Sequence, residues 1–257
     1  MPELTDRPPL TISIVSHGQQ ALILPLLHQL ARFCGPLIDR VVLTVNIPEP
    51  DLLGDAPPGL PLLRLDNPAP MGFGANNNQA FGHCQTPWFL VLNPDIRLDH
   101  DVLSPLLAQA AAGAGLLAPR ILEPGKAAPE QHRALLTPTE ILQRRKPGYG
   151  IPAVPDWIPG LFMLFRSEAY RRIGGFDERF FMYGEDFDIC ARLRLAGWRI
   201  QIAEDQRARH EAQRASRTRL RHLWWHVSSL LKVWGSAAFW RYRGLLAREA
   251  AQASPPG

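Results

Sequence analysis

Cysteine is scarce in this chain of 257 residues, which contains only Cys34, Cys84 and Cys190. The three are far apart and odd in number, and no two have the spacing of a zinc site. A disulfide framework and a structural zinc site are therefore not expected, and each cysteine is interpreted as a small core residue. Long hydrophobic runs are also missing, since no segment approaches the roughly 18 apolar residues of a membrane-spanning helix. The few, unpaired cysteines favour a reducing compartment. With no spanning helix in the sequence, we expect a cytoplasmic protein that is soluble or rests on a membrane.

Several familiar sequence signatures are absent as well. The first ten residues are acidic and interrupted by proline, which is unlike a signal peptide. The sequence contains no phosphate-binding loop, no GxGxxG fingerprint and no Ser/His/Asp pattern, which disfavours the enzymes that depend on them. The composition, 46% hydrophobic and 20% charged, is that of an ordinary folded globular protein.

Charge is distributed unevenly along the chain. The segment from residue 206 to the end has 10 basic and 2 acidic residues, whereas the first 205 residues have a net charge of −4. Between Arg214 and Arg248 the arginines are mixed with aromatic residues, which is typical of helices on an anionic membrane surface. The same mixture would also suit packing on the rest of the protein, and nucleic acid binding is the least favoured alternative. We predict a domain over residues 1–215, a helical basic and aromatic tail over 216–257, and no nucleic acid partner.

The first half of the chain alternates strand and helix patterns. The predicted strands are Leu10–Ser16, Arg40–Val45, Leu60–Leu65 and Trp88–Leu92, and the predicted helices are Gln20–Phe33 and Leu103–Ala112. This alternation predicts an α/β fold with a mostly parallel sheet. Because ligands bind at the carboxyl ends of the strands in such sheets, His17, Asn46 and Asp95 should share one crevice.

The second half is less regular. Residues 123–159 are rich in proline, glycine and basic residues, and their weak periodicity predicts a long excursion or loop. The elements predicted after it are a structured run at Leu161–Phe165, helices at Ser167–Ile173 and Asp186–Ala196, and a strand at Trp198–Ala203. No internal repeat is visible, which favours one domain with a C-terminal appendage.

Two short segments of the first half carry residue types suited to ligand binding. Asn93-Pro94-Asp95 follows a predicted buried strand, where a carboxylate can hold Mg²⁺ or Mn²⁺ against a diphosphate. An Asn-Pro turn gives the same pattern without any function. In the second segment Gly72 and Gly74 precede three consecutive asparagines, which suits a sugar, a ribose or a phosphate and equally suits a turn with a helix cap.

A third segment, residues 174–190, has five carboxylates among aromatic side chains. Glu185 and Asp186 begin a predicted helix, and capping accounts for one of the acids. Burying the others costs free energy unless they are paired or used, and a carboxylate that faces a cleft can act as a general base toward a hydroxyl. His210 follows the last predicted strand and is either a metal or diphosphate contact or an ordinary surface histidine.

Taken in order, these segments resemble the family 2 glycosyltransferases, especially their bacterial rhamnosyltransferase-like branch. The resemblance covers roughly residues 10–215. Its most specific parts are GFGANNN at Gly72–Asn78, LVLNPD at Leu90–Asp95 and GGFDERFFMYGEDFDICARLRLAGWRI at Gly174–Ile200. It implies a GT-A fold and an inverting transfer from a nucleoside diphosphate sugar, usually with Mg²⁺ or Mn²⁺.

The resemblance also implies roles for individual residues. Asp95 falls on the metal-binding aspartate of the family, with Asn93 in the place of the first acid of its DxD motif. His210 matches a histidine that faces the metal or the diphosphate. Asp186 falls on the aspartate that looks like the catalytic base, and Glu185 is its neighbour in the family's Glu-Asp pair.

Donor and acceptor contacts are expected on the same basis. The residues expected to bind a dTDP- or UDP-linked sugar, with rhamnose as the candidate sugar, are Ser16, His17, Asn46, Gly72, Phe73, Asn78 and Asn93. On the acceptor side Trp157 is expected to stack on a sugar, with Gly160 nearby. The expected acceptor is a glycan or lipid-linked molecule of cell-surface polysaccharide synthesis, with the tail on the inner face of the cell membrane.

The first half departs from the family pattern in two places. Ser16-His17-Gly18 stands where the family usually shows Thr-Tyr-Asn, and Val45–Pro48 lacks the acid that commonly helps to read the base. Either Glu49 or Asp66 would have to replace that acid. These departures keep a non-catalytic carbohydrate-binding relative as an alternative. A sugar nucleotidyltransferase is a weaker alternative, because the expected glycine-rich, lysine-bearing N-terminal loop is missing.

Overall fold

The computed structural model describes residues 8–51, 53–125, 133–144, 146, 148–149, 152, 154–211 and 219–253. Part of the predicted excursion over 123–159, and the predicted domain boundary between residues 215 and 216, lie outside the described residues.

Among the described residues, eight strands form one mixed sheet at the centre of the molecule. They are β1 (Leu10–Ser16), β2 (Ile38–Val45), β3 (Leu62–Asp66), β4 (Trp88–Leu92), β5 (Ile96–Arg97), β6 (Ala114–Leu122), β7 (Phe162–Arg166) and β8 (Arg199–His210). The order across the sheet is β3-β2-β1-β4-β7-β6-β8-β5. The first four strands in chain order run parallel, β7 is antiparallel to both of its neighbours, and β8 runs parallel to β6 and antiparallel to β5.

Eight α-helices in the described part of the chain cover the two faces of this sheet. They are α1 (Gln20–Cys34), α2 (Phe73–Phe81), α3 (Leu103–Ala108), α4 (Pro138–Gln143), α5 (Ser167–Arg172), α6 (Glu185–Leu195), α7 (Arg219–Gly235) and α8 (Ala237–Ala253). One apolar layer packs α1 and α3 on the sheet, and a second packs α2, α5, α6 and α8 on the opposite face. The predicted α/β class with a mostly parallel sheet is confirmed.

Helix α4 and strands β5 and β6 were missed, β8 was predicted too short, and α3 ends at Ala108, before the predicted Ala112. Helix α4 lies inside the predicted excursion, where Thr137 accepts a hydrogen bond from the backbone N–H of Glu140 at 3.1 Å. This is a capping arrangement that the Thr-Pro-Thr-Glu sequence encodes. Strand β6 was also missed. Strand β8 continues past the predicted end at Ala203 to His210. This is possible because a register shift opposite Pro119 lets exposed polar residues of β8 bulge out before its pairing with β6 resumes. His210 therefore belongs to a strand and does not follow one.

The C-terminal helices pack on the rest of the chain. Phe239 and Tyr242 of α8 are buried in the same apolar layer as Phe187 and Cys190 of α6. Packing on the body is thus observed for the described part of the tail, and deleting the tail would remove part of the core. Within the described residues, no helix is both long and apolar enough to cross a membrane.

All three cysteines are reduced and buried, as expected for small core residues. Burial raises the pKa of Cys34 to about 12, which leaves its thiol protonated and unreactive at neutral pH.

Candidate active site

A cavity of about 380 Å³ opens where β1, β2 and β4 end. His17, Asn46 and Asn93 all line it, and the Asn46 amide donates to Nδ1 of His17 at 3.1 Å. Asp95 follows two residues after Asn93 at the same end of β4. A crevice at the carboxyl ends of the strands is therefore present and contains His17 and Asn46 as predicted, whereas Asp95 is not among its lining residues.

Buried asparagines hold the wall of this cavity in shape. The Oδ1 atom of Asn46 accepts hydrogen bonds from the Asn67 amide at 2.9 Å and from the Met71 backbone N–H at 2.8 Å. The Asn67 amide also donates to Oδ1 of Asn76 at 2.6 Å. Because these amides bond each other across three segments, the wall is preorganised before any ligand enters.

The two acids considered as replacements for the family's base-reading residue lie in different surroundings. Glu49 accepts a hydrogen bond from the Ser16 hydroxyl at 2.8 Å and another from the Gly18 backbone N–H at 2.6 Å. Asp66 instead forms an ion pair with Arg64 at 2.7 Å on the surface. Of the two acids, the structure therefore brings Glu49 to the end of β1, beside the predicted donor residue Ser16.

Helix α2 begins at the cavity, in close contact with residues 174–190, which are called the acidic segment because they contain five carboxylates. A Cβ atom on Gly72 would lie 2.8 Å from the carbonyl oxygen of Phe181, so only glycine fits there. The Phe73 N–H donates to that same oxygen at 3.0 Å, and the Phe73 ring lines the cavity. Gly72 thus supports the cavity by letting the start of α2 approach the acidic segment, and it is not itself among the residues that line the cavity.

Asn78, another predicted donor contact, is directed away from this cavity. Its Oδ1 atom accepts from the Tyr170 hydroxyl at 2.7 Å and from the Phe176 N–H at 2.9 Å. Its amide donates to Glu178 and to the Phe176 carbonyl, both at 2.9 Å. These side-chain bonds fasten α2 to α5 and to the following acidic segment, and Asn78 is not among the residues that line the cavity.

Asp95 and His210, the two predicted metal ligands, meet although they are 115 residues apart. The pairing of Ile96 with His210 between β5 and β8 fixes this approach. The Nε2 atom of His210 lies 3.1 Å from Oδ2 of Asp95, and its Nδ1 atom lies 3.9 Å from a carboxylate oxygen of Glu123. The second carboxylate oxygen of Asp95 is buried and has no hydrogen-bond partner among the described residues.

Glu185 and Asp186 occupy the first turn of α6, where the helix dipole favours negative charge. Burial, with the neighbouring charge of Asp186, raises the pKa of Glu185 to about 8. Burial also raises the pKa of Asp186, while hydrogen bonds from the backbone N–H groups of Phe187 and Gly160 oppose that rise. With a pKa of about 8, Glu185 is neutral at neutral pH, which avoids two adjacent buried charges that would repel each other.

A second cavity, of about 310 Å³, is lined by Asp186 and by the predicted acceptor residue Trp157. The indole N–H of Trp157 donates to the Ala134 carbonyl at 2.8 Å, which fixes the ring. A Cβ atom on Gly160 would lie 3.1 Å from the Phe73 ring and 3.9 Å from the Cβ atom of Asp186. Gly160 therefore stands between the residue that lines the first cavity and the carboxylate that lines the second.

Two site residues from α7 were not anticipated. Trp225 lines the first cavity and packs on Phe181 at 5.3 Å between ring centroids. His226 lines the second cavity and stacks on Tyr183 at 3.5 Å with an interplanar angle of 13°. The aromatic residues of the tail were visible in the sequence, but nothing in the sequence placed them at the site.

A family comparison identifies the chain. The model of glycosyl transferase family group 2 matches residues 88–250, which is more than half of the chain. The chain belongs to this family. The match contains β4, the acidic segment, α7 and most of α8, so it extends beyond the predicted boundary at residue 215.

Curated relatives of this glycosyltransferase include two rhamnosyltransferases. It is 29% identical over 182 residues to rhamnosyltransferase WbbL of Escherichia coli, a match that covers 63% of this chain and 69% of the relative. It is 30% identical over 190 residues to N-acetylglucosaminyl-diphospho-decaprenol L-rhamnosyltransferase of Mycobacterium tuberculosis, covering 62% of this chain and 61% of the relative. The chain thus spans less than two thirds of the second relative's length.

The fold of this glycosyltransferase is similar to that of solved glycosyltransferases. The mannosyltransferase PcManGT from Pyrobaculum calidifontis, in complex with GDP-Man and Mn²⁺, superposes with a TM-score of 0.61 at 16% sequence identity. The superposition covers 97% of this chain and 77% of the mannosyltransferase. The expected GT-A-type architecture, a mixed sheet flanked by helices, is confirmed.

Proposed function

We propose that this glycosyltransferase moves a sugar from a nucleoside diphosphate sugar to an acceptor hydroxyl with inversion at the anomeric carbon. The observation that carries the proposal is the position of Asp186, which lines one cavity, while Gly160 lies next to both Asp186 and Phe73, a lining residue of the other cavity. The donor would occupy the first cavity, with Asn46 and Asn93 among its contacts, and the acceptor would occupy the second.

Asp186 is the general base of this proposal. Its carboxylate accepts the proton of the acceptor hydroxyl as the hydroxyl oxygen bonds to the anomeric carbon. The bond from that carbon to the diphosphate oxygen breaks on the opposite face, so one displacement inverts the configuration. A pKa raised by burial makes Asp186 a stronger base, and a neutral Glu185 avoids a second charge beside it.

Asp95 and His210 would hold a divalent metal ion, Mg²⁺ or Mn²⁺. A carboxylate and an imidazole are suitable donors, and the buried unpartnered oxygen of Asp95 is a ready ligand atom. Among the described residues no group of three His, Cys, Asp or Glu side chains is arranged to hold a metal. Diphosphate oxygens and water would therefore complete the coordination. When bound, the ion would stabilise the charge that develops on the departing diphosphate.

The donor in this proposal is a dTDP- or UDP-linked sugar, with rhamnose the favoured sugar because two curated relatives are named rhamnosyltransferases. Thermal unfolding of the purified chain with UDP, dTDP or GDP, each with and without Mn²⁺, tests donor binding. A nucleotide at about 100 times its Kd should stabilise the fold by roughly 2.7 kcal/mol. A shift that needs both one nucleotide and the ion supports the proposal, whereas no shift with any nucleotide contradicts it.

The acceptor is proposed to be a glycan or lipid-linked molecule used at an inner membrane surface. The M. tuberculosis relative is named for a sugar carried on diphospho-decaprenol. On α7, Trp224, Val227 and Leu231 are 68%, 45% and 64% exposed and recur at helical spacing, so one apolar stripe faces outward. Such a stripe suits peripheral contact with a membrane surface.

A non-catalytic carbohydrate-binding relative is the second candidate. It is favoured because the substituted residues of the first half are already engaged: Ser16 bonds Glu49, while Asn46 bonds His17, Asn67 and Met71. This candidate predicts binding of a glycan without consumption of any donor sugar. The sugar nucleotidyltransferase alternative is not retained, since the family match is to glycosyltransferases.

A further inference from the structure

The orientation of the Asn46 amide is determined by backbone groups. Its Oδ1 atom accepts a hydrogen bond from the Met71 backbone N–H at 2.8 Å, and its Nδ2 atom donates to the Met71 carbonyl oxygen at 2.9 Å. A backbone N–H only donates and a carbonyl oxygen only accepts, so the two ends of the amide cannot be exchanged. Asn46 is buried, and the Asn67 amide donates a second hydrogen bond to its Oδ1 atom at 2.9 Å. The side chain therefore presents an N–H, and not its oxygen, to the neighbouring His17.

This N–H fixes the position of the proton on the His17 ring. The Nδ2 atom of Asn46 lies 3.1 Å from Nδ1 of His17, and because the amide nitrogen donates, Nδ1 has to accept. A neutral imidazole has one donor nitrogen and one acceptor nitrogen, so its proton is on Nε2. No group in the described part of the chain accepts a hydrogen bond from this Nε2–H. Since His17 is exposed and lines the first cavity, its Nε2–H is available to a ligand.

The first cavity is suited to an uncharged and flat part of a ligand. Its described lining residues include no aspartate, glutamate, lysine or arginine. The aromatic side chains of Phe73, Phe181 and Trp225 line it together with several amides. Proteins recognise nucleobases with these residue types, by stacking on aromatic rings and by hydrogen bonds to the polar edge of the base.

The position of His17 relative to Asp95 indicates which end of a nucleotide it meets. Asp95 follows β4, whereas His17 follows β1 and Asn46 follows β2, and these strands lie in the order β2-β1-β4. Neighbouring strands are about 4.8 Å apart. With the diphosphate beside Asp95, as proposed above, the nucleoside extends along the edge of the sheet toward β1 and β2. The nucleobase is the end of the nucleotide that is farthest from the diphosphate, so it comes to His17.

We propose that His17 recognises the donor nucleotide by donating its Nε2–H to a carbonyl oxygen of a uracil or thymine ring. His17 is then a specificity-determining residue, and Asn46 is a positioning residue that acts through it by fixing the tautomer. Where the family pattern has an acid, which accepts a hydrogen bond from the base, this chain supplies a donor. Selectivity therefore depends on an oxygen of the base and not on a base N–H. The inference rests on the proposed function, since it takes a nucleoside diphosphate sugar as the donor.

Nucleotides that differ in a single base atom test this contact. The reference is whichever of UDP and dTDP binds the full chain more tightly with Mn²⁺ in calorimetric titration, and the probes are its 2-thio and 4-thio analogues. Sulfur accepts hydrogen bonds more weakly than oxygen, so the analogue altered at the recognised oxygen should bind about fivefold more weakly than the reference. His17→Phe keeps a flat ring without the N–H. It should weaken the reference about tenfold and abolish the difference between the reference and that analogue.

His100→Ala is the matched control, because His100 is an exposed histidine that does not line the cavity, and it should show the same selectivity as the natural chain. Nitrogen-15 NMR at pH 8 observes the tautomer directly, with the His17 signals assigned by their loss in His17→Phe. The natural chain should show a protonated Nε2 and an unprotonated Nδ1.

Four results would overturn the inference: a proton on Nδ1, equal binding of the reference and both analogues, an equal loss of all three in His17→Phe, or no binding of UDP and dTDP. The third result would mean that His17 contacts the ribose or the diphosphate. If the expected selectivity is found but no sugar is transferred from any donor, the proposed function fails and the assignment of His17 stands.

Discussion

Replacing Glu185 with glutamine should raise the stability of the protein at neutral and alkaline pH. Glu185 is buried in the first turn of α6, and one of its carboxyl oxygens has no hydrogen-bond partner among the described residues. Its pKa is raised from 4.5 to about 8 by burial and by the charge of Asp186. Glutamine has nearly the same shape and no charge, so it removes only the cost of ionising this group.

The sign and size of the effect follow from proton linkage. Below pH 4.5 the carboxyl is neutral in the folded and the unfolded chain, and its pKa difference does not affect stability. Between pH 4.5 and about 8 the unfolded chain loses the proton while the folded chain keeps it, so the free energy of unfolding falls as pH rises. A pKa difference of this size corresponds to on the order of 5 kcal/mol by pH 8, or about 10 °C in Tm for a chain of this length.

Thermal unfolding followed by circular dichroism at pH 5, 6, 7 and 8 measures this effect. Glu185→Gln should be close to the natural chain at pH 5 and more stable by about 10 °C at pH 8. Glu168→Gln, a change of an exposed carboxylate on α5, is the matched control and should not alter the pH dependence. If Glu185→Gln and the natural chain lose stability in parallel from pH 5 to pH 8, Glu185 is ionised in the folded protein and our description of the pair is wrong.

Three further changes test the proposed roles. Asp186→Asn should lower sugar transfer about 10²–10⁴-fold while the donor nucleotide still binds; an equal loss of nucleotide affinity in calorimetry would show that Asp186 is not the base. Asp95→Ala should abolish the Mn²⁺-dependent part of nucleotide binding, and an ion effect that persists in titrations would place the ion elsewhere. Changing both Trp224 and Leu231 to serine should lower cosedimentation with anionic liposomes by more than about tenfold, since each side chain would lose roughly 1.5–3 kcal/mol of apolar burial. Leu142→Ser, which alters an exposed leucine on α4, is the control for the double change and should cosediment like the natural chain.

Local patterns predicted the elements that are buried on both faces. Strands β1 and β4 were predicted to the residue, because each is a short run of apolar or β-branched residues with a clear end. Helix α6 was predicted within one residue at each end, since acids begin it and glycine follows it. The candidate residues Asp95, Asp186 and His210 were found through family motifs, and the structure adds the contacts that explain their positions.

Features that depend on distant pairing were not predictable from local pattern. The place of β7 between β4 and β6 is set by packing across the sheet. The sequence of its five residues does not indicate whether the strand runs parallel or antiparallel to its neighbours. The length of β8 was hidden because three polar residues bulge out of register in its middle. The roles of Trp225 and His226 depend on how α7 packs on the acidic segment, which composition alone does not specify.

The strand pair that joins Asp95 to His210 also affects the order of events during folding. The two residues lie 115 positions apart, and pairs so distant in sequence close late, because the intervening loop loses much conformational entropy. Refolding from denaturant should therefore restore the circular dichroism of the sheet before it restores ion-dependent nucleotide affinity, and stopped-flow measurements can compare the two rates. An intermediate without β8 would lack the Asp95–His210 pair, so the proposed ion site would form only in the last step of folding.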